Sequence, residues 1–446
     1  MKQLTQLSSL SRHCIPALLL AVTTLVAAGG AFAVVPVPAQ DQREPIAIVG
    51  AIVHTGNGTV FGDGVITFTD GVITAVGQSG DTIDLAGHRV IDLQGQHVYP
   101  GFVLPNTELG LQEVGNIRAT RDVVEEGDIN ASVRSAIAYN TDSEFIPTQR
   151  FNGILTAQVT PAGGLVSGSS SVMKLDGWNW EDAVLQEDDG MHLRWPALRR
   201  RQRNEETGEF ETVDNPDYDG ATQVLNELFQ NAVAYTGEPV NLNLQALQPV
   251  LNGIATLYIH ANEAREIVSA VRFARRYGVP KVVLVGGRQA LLVKDLLLAE
   301  SIPVLYEEIH SLPVNTWSDV DESFKMPFLL HDAGLQVGIG GGGTSLDRQR
   351  NLPFFAGTAA AYGLDRETAL SFITRNNAEI LGVADRVGTL EVGKDATLIV
   401  STGDALDMRT SNVVWAFIQG REIDLFGTQQ ELYQRFRERY ENLTND

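Results

Sequence analysis

Few stretches of this 446-residue chain combine the residue types and the spacing that catalysis needs. In "YPGFVLPNTELGL" a short apolar run (Phe102, Val103, Leu104) stops abruptly at Asn106-Thr107-Glu108, a pattern that aims polar groups off the end of a buried strand. His260 ends a second such run, "TLYIHAN", and Glu307, Glu308 and His310 follow a third, "IPVLY". Imidazole nitrogens and carboxylate oxygens are the donors of zinc and manganese sites, so Glu108, His260, Glu308 and His310 form a candidate metal cluster if their strand ends share one mouth. The blander alternative places Glu308 and His310 in a solvated loop and leaves His260 a buried imidazole bonded to a neighbour.

A second group could hold an anion. Gly338-x-Gly340-x-x-Gly343 spells the dinucleotide fingerprint, but neither a βαβ start nor a later acidic residue accompanies it. Backbone amides of Gly341, Gly342 and Gly343, with Asn106, Arg288, Arg348 and Arg350 on the same rim, suit a phosphate or carboxylate better. Pairing of those arginines with acidic neighbours such as Asp347 is the competing reading. Ser167, Ser169 and Ser170 have no His-Asp relay in the pattern, so a serine hydrolase has little support.

Elements must position these residues. From Ala255 onward apolar runs of about five residues alternate with amphipathic stretches, the rhythm of parallel strands buried on both faces and crossed by helices. Earlier candidates are Val98–Leu104, Ile154–Thr160 and Ser171–Leu175, which makes seven strands. An eighth between Trp178 and Gly253 would close a (β/α)8 TIM-like barrel over residues 100–385. The stretch 186–245, with its "LRRRQR" cluster and acidic surroundings, reads as a long excursion from that barrel. Short strands with Gly, Asn and Asp turns fill 34–99 and return in 386–425, so both ends contribute to a small split β-sandwich domain with the barrel inserted. In 426–446 Leu432, Phe436 and Tyr440 share one helical stripe, which predicts a helix docked on the body.

The first 33 residues have the form of a secretory signal peptide: Lys2 and Arg12, an apolar run, then Ala31-Phe32-Ala33. Cleavage near Ala33 would remove Cys14, the single cysteine, and with it any disulfide, thiolate ligand or Cys nucleophile. The formal charge of −22 would become −24 with Lys2 and Arg12 gone. A protein so acidic should repel nucleic acid and anionic lipid, and no later stretch is long enough to span a membrane. These features predict a periplasmic or secreted protein.

The string "ADRVGTLEVGKDATLIV" (Ala384–Val400) resembles the "GxxxxGxxADLVV" return into the β domain of the amidohydrolase superfamily, in its imidazolonepropionase-like branch. Thr397 stands where an Asp is usual. "LQGQHVYPGFV", "NGILTAQVTPAGG" and "YGLDRETALSFITRNNAEILGV" resemble the strand that opens the barrel, its second strand and its closing helices. The resemblance implies one or two divalent metals, zinc or manganese, at the barrel mouth, where bound hydroxide attacks a C–N bonded carbon. It also implies a His-x-His pair where this chain has Asn106-Thr107-Glu108, a histidine at Gly286-Gly287, and an Asp where Gly341, Gly342 and Gly343 follow "LQVGIG". His260 matches the fifth-strand histidine, and Lys174 is comparable with a metal-bridging lysine.

Two functions follow. One is a metal-dependent hydrolase acting on C–N bonds of non-peptide or cyclic amides, with Glu108 and His260 as catalytic groups and a small-molecule or peptide-like substrate. The other is a pseudoenzyme with no metal: a periplasmic binding protein, or a homo- or hetero-oligomeric partner of an active homologue.

Overall fold

The computed structural model describes residues 37–205, 207–314, 318–342 and 345–444; the expected leader over 1–33 and Gly343 lie outside them. The run "VVLVG" is apolar on both faces, a strand of that kind has to be covered on both faces, and "ILTAQV" is likewise buried throughout. They become inner staves of a barrel. Its eight strands in chain order are Phe102–Thr107, Ile154–Val159, Val166–Lys174, Val184–Arg194, Thr256–Ala261, Val282–Gly286, Val304–Tyr306 and Val337–Ile339, each hydrogen-bonded to the next. This is the expected TIM-like α/β architecture, and the strand left to be located, Val184–Arg194, falls inside the interval foreseen for it.

The third strand departs from the parallel rule. Only residues 160–165 separate it from the second, and a parallel crossover needs roughly a dozen residues. Gly163 and Gly164, at φ 85° and 62°, turn the chain instead. The strand therefore runs antiparallel to both neighbours, with Thr156 opposite Lys174 and Ser170 opposite Gly190. Lys174 is thereby carried to the bottom of the barrel, where its Nζ donates to Gln419 Oε1 at 2.7 Å. It cannot bridge anything at the mouth.

The ladder does not run between the eighth and first strands, and one side chain and one isolated backbone bond tie that seam. Asn377 Nδ2 donates to Val103 O (2.8 Å) and Ile339 O (2.9 Å), and Gly341 N donates to Pro105 O (3.1 Å). Helix Ala264–Arg276 shows how the outer layer forms. A capping box between Glu263 and Glu266 starts it, Arg275 and Arg276 complement its C-terminal dipole, and Ile267, Ala270, Val271 and Ala274 pack inward.

A second sheet uses both ends of the chain: Leu398–Ser401 pairs antiparallel with His97–Pro100, which adjoins Ile46–His54. Ile48, Ile66, Phe68, Val98, Leu398 and Phe417 fill its core. Together the two sheets give the barrel with its β-sandwich domain.

Two expectations need correction. The stretch 186–245 is not all excursion, because it contains most of the fourth barrel strand. The acidic run Glu187-Asp188-Asp189 disguised that strand, yet Asp188 takes φ +49° and lets Asp189 turn into the barrel. The excursion proper is an exposed hairpin, Arg199–Arg203 against Phe210–Asp214, followed by helix Tyr218–Ala234, whose Phe229 packs on Phe273. The C-terminal helix Thr428–Thr444 is held through its first turn, by Thr428 on Glu144 and Gln429 on Arg350. Leu432, Tyr433, Phe436 and Tyr440 stay exposed, and Glu431–Arg435 and Arg437–Glu441 pairs support the helix along its own surface. Among the described residues no helix is long and apolar enough to cross a membrane.

Candidate functional site

Alternation along the strands selects what reaches the barrel interior. Leu305 belongs to the inner cluster with Val103, Tyr258 and Val285, while Tyr306 belongs to the outer one. Glu307, two residues past Leu305, therefore faces the mouth and Glu308 faces away. By the same parity His260 follows Tyr258, and Arg194 follows His192.

A cavity of about 230 Å³ opens at the mouth, lined by Asn106, Glu108, Gln112, Thr160, Arg194 and His260, with Glu307, Gly342, Ser345 and Gln349 completing the wall. Asn106 ends the first strand at φ +51°, and its Nδ2 donates to Glu307 Oε1 at 2.6 Å. Gly342 N donates to the same oxygen at 3.1 Å. Burial pushes the Glu307 carboxyl up to about 7, against the opposing pull of these two donors and the Arg194 charge. Burial also raises the Glu108 pKa, while Arg194 and Arg121 lower it. Arg194 is itself held by Nε on Ser167 Oγ (3.3 Å), and burial lowers its pKa while Glu307 and Glu108 raise it.

Polar groups continue down the barrel. His192 Nδ1 and His260 Nε2 are 2.9 Å apart, so one ring donates and the other accepts. Burial, then the Arg194 charge, depresses both imidazoles well below the usual histidine range, which keeps them neutral at pH 7. Further in, Asp189 accepts from Tyr258 Oη (2.8 Å), Gln158 Nε2 (2.7 Å) and Ser170 Oγ (2.8 Å). Gln158 Oε1 in turn accepts from Asn106 N at 3.1 Å, tying this layer to the mouth. Burial raises the Asp189 carboxyl to about 6 in spite of its three donors.

The residues anticipated from sequence divide. Glu108, His260, Asn106 and Gly342 share the mouth. Glu308 does not join them, because Arg288 grips it through Nε and Nη2 at 2.7 and 2.8 Å. His310 is exposed, bonded to Thr358 at 2.8 Å and set edge-on to Phe355. The four-residue metal cluster is therefore not assembled. The anion rim also fails: Gly341 and Gly342 direct their amides to Pro105 and Glu307, Arg288 is paired, Arg348 is exposed, and Arg350 reaches Gln429. Arg194, His192 and Asp189 were not singled out for the site, and Glu307 was named after its strand but given no role in the metal cluster. Counting Glu307 in step with Leu305 was the available signal for one of them.

The donor set does not fit the divalent metal that the sequence resemblance implies. Asn106 turns an N–H, not an oxygen, toward Glu307; His260 Nε2 is engaged by His192; and a fixed guanidinium shares the space. Among the described residues no three His, Asp or Glu side chains converge as a metal site.

Fold and cavity define a TIM-like barrel with a cavity at the C-terminal ends of its seven parallel strands. Residues 259–423 match the model of the amidohydrolase family. An amidohydrolase from Thermotoga maritima MSB8 is similar at TM-score 0.75 and 23% identity, over 85% of this chain and 99% of its own. A putative prolidase from Bifidobacterium longum matches at 0.52 and 16%, over 86% and 95%. An adenosine deaminase from Xanthomonas campestris with bound zinc matches at 0.51 and 15%, over 91% and 100%. Identities this low show a shared fold alone. No curated protein matches the chain.

Proposed function

We propose that this protein is an exported, small-molecule-binding member of the amidohydrolase fold that works without a divalent metal. One observation carries the reading: the Asn106–Glu307 hydrogen bond and the Arg194 guanidinium together occupy the place where metal ligands would converge. A metal site needs several deprotonated donors on one point, and losing most of them lowers affinity by orders of magnitude. A guanidinium already supplies positive charge between the carboxylates that a cation would otherwise neutralise. Elemental analysis of protein purified without chelator tests the reading. Well below one equivalent of zinc or manganese per chain is expected. A full equivalent that His260→Ala or Glu108→Gln removes would overturn it.

A second reading retains hydrolysis of C–N bonds without metal. It is favoured by Glu307, whose carboxyl is held near 7 at the cavity wall, the range suited to a general base. Glu307 would take a proton from water as that water adds to an amide carbon, then return it to the departing nitrogen. Turnover of cyclic amides or N-acyl amino acids that Glu307→Gln abolishes would support this reading. Turnover that survives the substitution would exclude it.

A further inference from the structure

We infer that the barrel-mouth cavity recognises a free α-amino acid, with Arg194 receiving its carboxylate and Glu108 and Glu307 receiving its ammonium group. The inference rests on the metal-free reading and deepens it, since a bound metal would claim the same carboxylates.

Arg194 differs from the other sheltered arginines of the chain. Arg150 is paired with Asp176, Arg288 with Glu308, and Arg275 with Glu300. Arg194 makes no ion pair among the described residues, and Ser167 is the one side chain to which it donates. A partly desolvated cation without a paired anion is costly, and an arriving carboxylate would offset that cost with two parallel N–H···O bonds.

The rest of the wall restricts which anion can enter. Glu108 and Glu307 line the same cavity, so a dianion or a phosphate that meets Arg194 also meets two carboxylates. A simple cation meets the opposite problem at Arg194. A zwitterion answers both, with one negative end for one guanidinium and one positive end for two carboxylates. Size agrees: about 230 Å³ is less than the roughly 300–1,000 Å³ of pockets for drug-sized ligands. His260, neutral through burial, together with Gln112 and Thr160 leaves the remaining wall uncharged.

Thermal-shift and calorimetric titration of the wild-type protein with the twenty free L-amino acids provides the test, each compared with its carboxamide and its N-acetyl derivative. At least one amino acid should raise Tm and bind, with both derivatives weaker by about tenfold or more, the effect of losing roughly 1.4 kcal/mol. Arg194→Met should abolish that binding and Arg194→Lys should keep part of it, whereas Arg409→Met, exposed and outside the cavity, should leave it unchanged. If no amino acid binds, if a carboxamide binds as well as its acid, or if Arg194→Met binds like wild type, the inference fails. Should Arg194→Met not fold, the comparison of acid, carboxamide and N-acetyl forms on wild type decides. A metal-free protein that ignores every amino acid removes this inference alone; a full equivalent of bound metal removes the reading beneath it.

Discussion

Asn106 Nδ2 donates to Glu307 Oε1 at 2.6 Å, a bond that joins the ends of the first and seventh barrel strands across the mouth. A carboxamide in that position does for the carboxylate what a cation would otherwise do, though more weakly. Replacing Asn106 by Ala removes the donor that favours ionised Glu307 and leaves burial unopposed on that side. The Glu307 titration, followed by NMR of labelled carboxyl carbons, should move above about 7. Stability at pH 8 should fall by about 1–3 kcal/mol, the usual result of leaving a buried acceptor unmatched. An unmoved titration would mean that the bond is incidental.

Tyr258→Phe tests the layer beneath. Tyr258 Oη donates to Asp189 Oδ2 at 2.8 Å, and that bond lowers the Asp189 pKa against burial. Without it the carboxyl should titrate above about 6. The substitution should destabilise by about 1–3 kcal/mol at pH 7.5, as expected for a charge-assisted bond. The loss should be smaller at pH 5, where a protonated Asp189 needs fewer donors. Equal losses in urea unfolding at the two pH values would mean that Asp189 is not the partner that matters.

How far these features could be read in advance depended on what each one obeys. Strand positions followed from apolar runs: "KVVLVGG" became Val282–Gly286 and "IPVLY" became Val304–Tyr306 because burial on both faces admits few other residues. Strand direction did not follow. Whether Val166–Lys174 runs up or down turns on six intervening residues, and the assumption of parallel order misplaced Lys174 at the mouth. The site was harder still, because barrel interiors are ordinarily apolar, and Asp189, His192 and Arg194 interrupt that pattern in a segment that looked like a charged loop. One residue of parity separated the outward-facing, half-buried pairing of Glu308 with Arg288 from the mouth-facing Glu307. The C-terminal stripe at Leu432, Phe436 and Tyr440 forms the helix it promised, but periodicity does not say whether a surface exists for it to cover.

The open seam of the barrel gives a third prediction. Asn377 satisfies Val103 O and Ile339 O where no ladder bond joins the eighth strand to the first. Asn377→Ala would strand two buried carbonyls, so a loss of about 2–6 kcal/mol is expected, from roughly 1–3 kcal/mol for each group. Gly338→Ala should act on the same seam, because a Cβ there would lie 2.1 Å from Asn377 Oδ1 and 2.9 Å from Leu305 Cδ2. Neither position lies in the mouth cavity. A substitution that left the urea midpoint unchanged would show that the seam is held by other contacts.

Glu307 makes stability depend on pH in a direction opposite to that of a salt-bridged acid. Its folded pKa, about 7, lies above the ordinary 4.5, so between those values the native state binds more protons than the unfolded chain. Stability contributed by this group is therefore fully present below pH 4.5, declines as pH rises through that window, and is gone above about 7. At about 1.36 kcal/mol per pKa unit the full effect is about 3.4 kcal/mol, and partial solvent access reduces it to about 1–3 kcal/mol. Glu307→Gln keeps an acceptor for Asn106 and removes the titration. The unfolding free energy of the variant minus that of wild type should therefore be more positive at pH 7.5 than at pH 5 by about 1–3 kcal/mol. A difference that stays constant between those pH values would show that the Glu307 carboxyl is ionised throughout, and the second functional reading would lose the raised pKa that favours it.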